Sequence, residues 1–111
     1  MLLTKEAILA AKDLRCVDVD VPEWGGSVRL RPMNGADRER LQGYAKNDLN
    51  KFAVRLLSEC VVSEDGQKVF THEDIDSLLS KNGAVIDRLA LKCMELNGLA
   101  ADSVEKAEKN S

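Results

Sequence analysis

Val17-Asp18-Val19-Asp20-Val21-Pro22-Glu23-Trp24-Gly25-Gly26-Ser27-Val28-Arg29-Leu30-Arg31 is the stretch whose reading decides the fold. It reads as one β-hairpin. Val17, Val19 and Val21 alternate with Asp18 and Asp20, and Val28 and Leu30 alternate with Ser27, Arg29 and Arg31. A period of two places the valines and Leu30 on one face and the charges on the other. Gly25-Gly26 tolerates positive φ at both residues, so the tight turn is expected there. That turn sets Val21 opposite Leu30 and Asp20 opposite Arg31, a cross-strand ion pair worth about 0.2–1 kcal/mol. Trp24, the single tryptophan, then sits at the turn on the polar face, where its indole could lie along Arg29. Either it closes a hydrophobic edge or it meets a partner, since aromatic residues are enriched at interfaces. Trp24, Arg29 and Arg31 are the candidate partner-binding residues.

Downstream of the hairpin the period changes to that of helices. Leu49, Phe52, Ala53, Leu56, Leu57 and Cys60 form one apolar stripe over Leu49–Val61, with Lys51, Arg55 and Glu59 facing away. This is the expected central helix, and the valine face of the hairpin is expected to pack on it. Upstream, Thr4 suits the N-cap of a short helix ending near Lys12-Asp13, with Leu3 and Ile8 placed for a hydrophobic staple. Asn34 and Asp37 mark the start of a helix over residues 36–46 that has only Leu41, Tyr44 and Ala45 to bury. Arg38, Glu39 and Arg40 read as its solvated face.

Ser63-Glu64-Asp65-Gly66-Gln67 reads as a turn between Val61-Val62 and Val69-Phe70, giving a small second hairpin. It is not a calcium loop. With Gly66 in the glycine position, the first and last ligands would be Val61 and His72, neither a carboxylate. Thr71 and Asp74 have the spacing of a capping box, opening a helix with Ile75, Leu78 and Leu79 inward that stops near Asn82-Gly83. The last helix, residues 84–96, buries Ile86, Leu89, Ala90, Cys93 and Leu96, and Asn97-Gly98-Leu99 fits a Schellman stop with Leu99 folding back on Met94. The expected fold is α+β: a mainly helical small domain with an N-terminal β-hairpin, about residues 16–32, on a helical core. Residues 1–100 form the domain and 101–111 a flexible tail.

Composition narrows the function. The chain has 111 residues, a net charge of −3 and only 4% aromatic residues, so its core is largely aliphatic. No basic block suits nucleic acid, no apolar run is long enough for a membrane, and no signal-peptide core is expected after Met1. Cys16, Cys60 and Cys93 are odd in number and widely spaced, which suits buried thiols in a reducing compartment, without a disulfide framework or zinc site. His72, the single histidine, reads as a surface residue of a first helical turn with no nucleophile beside it. No phosphate-cradling loop or metal-binding pair is present in the sequence. The residues therefore point to an interaction domain with no catalytic group, metal or cofactor.

Several stretches, in order, carry a family likeness: residues 4–14 from Thr4 to Leu14, Val21-Pro22-Glu23-Trp24-Gly25-Gly26 with Val28-Arg29-Leu30-Arg31, Asn34-Gly35-Ala36-Asp37-Arg38, residues 65–71 from Asp65 to Thr71, and Leu96-Asn97-Gly98-Leu99. In these the chain resembles the tail assembly chaperones of phages with long, non-contractile tails, the siphovirus type. The Pro22–Gly26 turn is the most specific part of the likeness. The resemblance implies action in the host cytoplasm during tail morphogenesis and absence from the finished virion. It implies binding to the tape measure protein, delivery of tail tube subunits, and self-association. It also implies a frameshifted longer form whose C-terminal extension contacts the tube protein. Glu108-Lys109-Asn110 is the candidate slip site, because GAA-AAA-AAC would supply a −1 slippery heptamer. The alternative is a small structural head–tail or tail component of a phage or prophage particle, which would be found in purified particles.

Overall fold

The computed structural model describes residues 1–47 and 51–99. Leu49 and the slip-site residues Glu108, Lys109 and Asn110 lie outside the described residues. The hairpin forms from β1 (Val17–Val21) and β2 (Gly26–Leu30). β3 (Val61–Val62) adds to the far side of β2, giving an antiparallel sheet in the order β1-β2-β3. The small second hairpin is present: Val62 bridges Lys68, and Gly66 takes a φ of 84° in the turn between them.

The hairpin register corrects the sequence reading. Val17 faces Leu30, Asp18 faces Arg29, Val19 faces Val28, Asp20 faces Ser27 and Val21 faces Gly26. The turn is not at Gly25-Gly26. Pro22–Trp24 make one 3-10 turn, Gly25 closes it in the left-handed region at φ 78°, and its N–H donates to the Pro22 carbonyl at 3.0 Å. Proline favours this turn because its φ is preset and it has no N–H to lose. Gly26 starts the returning strand. The pairing is displaced by four residues from the expected one. Four is even, so every side chain keeps its expected face. Val21 and Leu30 are fully buried, and Val17, Val19 and Val28 pack against the core. The expected Asp20–Arg31 pair is replaced by Arg29 donating to Asp18 at 2.7 and 3.1 Å and Ser27 donating to Asp20 at 2.8 Å.

The five helices of the described residues are α1 (Lys5–Ala10), α2 (Gly35–Asn47), α3 (Phe52–Cys60), α4 (Ile75–Leu79) and α5 (Gly83–Leu96). α3 is central and contacts α2, α4 and α5. Leu56, Leu57 and Cys60 of its expected stripe are buried, and Phe52 and Ala53 are half-buried. The buried arc is wider than one stripe because α3 has neighbours on several sides. It takes in Val54 at 1% exposure and Glu59 at 6%.

Cap chemistry matches the sequence closely. The Asn34 side chain accepts from the Asp37 N–H at 2.8 Å, and Asp37 accepts from the Asn34 N–H at 3.3 Å. Thr71 and Asp74 make the reciprocal capping box, although it opens a 3-10 turn (His72–Asp74) before α4. α4 stops at Leu79, before Asn82, and leaves Leu79 exposed. Asn82 caps α5 instead, and Leu99 N–H donates back to the Met94 carbonyl with Gly98 at φ 73°. Asn97 is buried there. It accepts from the Met33 N–H at 2.7 Å and donates to the Cys93 carbonyl at 2.7 Å, fastening the segment after β2 to the end of α5.

Two further expectations change. α1 starts at its Thr4 cap as read but ends at Ala10 and buries no residue. Leu3 and Ile8 are both exposed, so the staple buries neither. Cys60 and Cys93 are buried, whereas Cys16 is exposed. Hydrogen bonding to Cys60 and burial together raise the Cys93 thiol well above the usual range, so it stays protonated.

Candidate functional site

Three surface features stand out from the packed body. The first is an apolar groove. Pro22 and Gly25 hold Trp24 at the tip of the hairpin, 39% exposed. Two adjoining clefts of about 380 and 230 Å³ share Trp24, Phe70 and Leu78 as lining. Leu57 and Leu89 form part of the floor, and Ser77 and Lys81 of α4 and its C-terminal flank lie at the side. Glu23, next to the tryptophan, accepts two hydrogen bonds from Arg88 of α5 at 2.8 and 2.9 Å, which pins the turn to that helix. This Arg88 pairing lowers the Glu23 carboxyl to about 2. The groove is preformed by packing, with an amphipathic indole at its lip.

The second feature is an ion cluster and the cleft beside it. Asp37 and Glu59 are buried carboxylates, at 2% and 6% exposure. Lys68 Nζ donates to both, at 2.7 and 2.5 Å. Arg40 also reaches both, with Nη2 at 2.8 Å from Asp37 and Nε at 2.9 Å from Glu59. Arg31 lies 3.4 Å from Asp37. Burial raises the Asp37 carboxyl, but the bonds from Lys68 and the Asn34 backbone and the charges of Lys68 and Arg31 outweigh it, so the net shift is downward. The cleft next to this cluster, about 310 Å³, is lined by Tyr44, Arg55, Phe70, His72 and Ile75 among others. Arg55 lies over the Tyr44 ring with its Cζ 4.2 Å from the centroid, and Tyr44 stacks on His72 at 5.2 Å.

The third feature is the N-terminal arm. Met1, Leu2, Leu3, Ile8 and Leu9 are all more than half exposed. α1 therefore presents an apolar surface without a counterpart in the described residues.

The sequence-predicted residues are distributed over these features. Trp24 and Arg29 line the same groove. Arg29 is spent on Asp18, and the ring–cation stack of the described residues is Arg55 over Tyr44, not Arg29 over Trp24. Arg31 turns away into the ion cluster, its side chain 22% exposed. Sequence reasoning missed Glu59 and Arg55, which it placed on a solvated face, and Arg38 and Arg40 likewise. Arg38 donates to the Asn97 carbonyl, and Arg40 clamps the two carboxylates. A available signal was the excess of charged residues on α2 with so few apolar ones to anchor it. Among the described residues no group of three or more His, Cys, Asp or Glu could hold a metal, and no helix is long and apolar enough to cross a membrane.

Comparison with known proteins agrees with this architecture. No curated protein matches the chain significantly. The solved structure of the bacteriophage HK97 tail assembly chaperone is similar, with a TM-score of 0.63 and 29% sequence identity, over 82% of this chain and 90% of that one. Residues 29–110, well over half of the sequence, match the family described as phage tail assembly chaperone. The chain therefore belongs to the phage tail assembly chaperone family.

Proposed function

We propose that this chaperone binds the tape measure protein, helps recruit tail tube subunits to it during tail morphogenesis in the host cytoplasm, and is left out of the virion. The observation that carries this reading is the preformed apolar groove around Trp24, Phe70 and Leu78. Such a groove suits the apolar face of an amphipathic helix, and a long helical partner offers many such faces. Trp24 is the anchor, Arg29 sits at its edge, and Arg31 supports the adjoining segment through Asp37. Self-association belongs to the same reading. β1 is an outer strand of the sheet, with one side of its backbone unpaired by β2, and such an edge offers a template for a further strand. The apolar arm of residues 1–9 adds surface for contact between copies.

The frameshifted form extends the account. A slip at Glu108-Lys109-Asn110 would keep the whole folded region and tether a second binding segment for the tube protein, raising its effective concentration at the growing tail. The codons decide this: GAG-AAG-AAT, or a closed −1 frame, removes the slip site. The test of the main reading is mass spectrometry of purified particles together with lysates of producing cells. The chain is expected in the lysate and absent from the particles. Its presence in particles at stoichiometric level would make it a structural component instead.

A further inference from the structure

The Arg55 guanidinium lies beside the ion cluster and, among the described residues, forms no ion pair with Asp37 or Glu59. Nε and Nη1 are covered and make no hydrogen bond. Buried polar atoms of this kind are rare and call for an explanation. No carboxylate among the described residues reaches Arg55, while its neighbours Arg40 and Lys68 each hold two. The side chain is held in place all the same. It emerges from the middle of α3 and lies on Tyr44, which is stacked on His72 and linked to it by a 3.0 Å hydrogen bond. An ordered arginine with no acidic partner is a preorganised receptor.

We propose that this cleft is a carboxylate-binding site in which Arg55 receives an Asp or Glu side chain from a protein partner. The local charge favours it. Three cations, Arg31, Arg40 and Lys68, face two carboxylates, Asp37 and Glu59, and Arg55 adds a fourth positive charge beside them, so this region is positive on a molecule whose net charge is −3. The walls favour an amino-acid side chain over a polyphosphate. Phe70, Ile75 and Tyr44 supply apolar and aromatic surface for the stem of an acidic residue, and the Arg55 guanidinium, open at Nη2 where Nε and Nη1 are covered, supplies the charged donor for its head. A nucleic acid would also meet the overall negative charge. The partner class, an acidic segment of a tail protein, rests on the chaperone reading; the cleft itself does not. The cleft and the Trp24 groove both include Phe70, so one partner segment can reach an apolar anchor and a charged anchor at once.

The experiment uses the single histidine as a reporter. N-acetylated tetraglutamate is titrated into the full chain at low salt, and the His72 ring signals are followed by NMR, with tetralysine as control. Saturable shifts with tetraglutamate only, lost on adding salt, are expected. R55Q is expected to weaken this binding about tenfold or more, and R55K, which keeps the charge without the planar guanidinium, less than that. Thermal melts establish that each variant folds. If R55Q does not fold, a rise in the wild-type melting temperature with tetraglutamate, absent with tetralysine, carries the test. No saturable shift in the wild type, equal binding by folded R55Q, or a response to inorganic phosphate with none to tetraglutamate would overturn the proposal. Failure here with the tape measure protein still captured would sink the cleft and leave the chaperone reading standing.

Discussion

Replacing Lys68 by methionine should expose what the Asp37–Glu59 cluster contributes. The ammonium lies 2.7 Å from Asp37 and 2.5 Å from Glu59, and the lysine side chain is 29% exposed while the two carboxylates are 4% and 8% exposed. Removing one partner of a buried ion pair typically costs about 3–5 kcal/mol, because the other charge is left without compensation. Here the loss is smaller. Arg40 still bonds both carboxylates and Arg31 still faces Asp37, and Arg40 itself is nearly half exposed. We expect about 2–3 kcal/mol, which for a domain of this size is a fall of about 10–20 °C in melting temperature. The acid limb gives a second signature. A carboxyl lowered below its unfolded value stabilises the fold above that value, and the contribution disappears as pH falls toward the folded one. Asp37 is lowered, with Lys68 the chief lowering influence, so in K68M its contribution should fade at higher pH than in the wild type. Urea unfolding of K68M in the wild type and in a D37N/E59Q background measures both effects. In that background the substitution should cost less than about 0.5 kcal/mol, because the charges it compensates are gone. An equal loss in both backgrounds, or no loss in the first, would refute the reasoning.

Leu56→Ala or Leu57→Ala should each cost about 2–5 kcal/mol by calorimetry or urea unfolding, since both side chains are at most 1% exposed in the central helix. Asn97→Ala should cost about 2–3 kcal/mol in urea, because it orphans the buried Met33 N–H and one α5 carbonyl bond together. The Glu23–Arg88 pair should loosen as pH falls from about 4.5 toward about 2, and only at low salt; this is visible as a change in Trp24 fluorescence absent from Arg88→Gln. Trp24→Ala should weaken partner capture and self-association more than it lowers the melting temperature; an equal loss of both would make Trp24 a core residue.

The parts of the fold that were legible in the sequence are those set by local chemistry. Asn34 with Asp37, Thr71 with Asp74, and Asn97-Gly98-Leu99 each satisfy orphan helix-end groups within a few residues, so spacing alone places them. The alternation of the hairpin fixed its faces for the same reason. Its register did not follow, because two turns compete for the same residues and the Pro22–Gly25 loop won over Gly25-Gly26. What was hidden depends on distant parts of the chain. Glu59 looks like a solvated helix position until Lys68, after the next turn, and Arg40, from the preceding helix, are brought over it. Val54 looks surplus to a single stripe until α3 is surrounded. In the candidate site, Trp24 was visible as an exposed aromatic at a turn. The groove was not, since Phe70 and Leu78 join it only through tertiary packing. The likeness to the family was legible in the order of several short stretches, of which the hairpin turn is the most specific, and membership rests on the family match over residues 29–110.

The central claim is that this chain is a chaperone that holds the tape measure protein. Co-expression tests it most directly. The tape measure protein is produced alone, with this chain, and with Trp24→Ala, and its soluble fraction is measured along with what co-purifies through a tag on this chain. The account predicts an insoluble tape measure protein alone, a soluble complex with the wild type, and a weakened complex with Trp24→Ala. A tape measure protein that stays insoluble beside abundant folded wild-type chain, or that is soluble without binding it, would contradict the account.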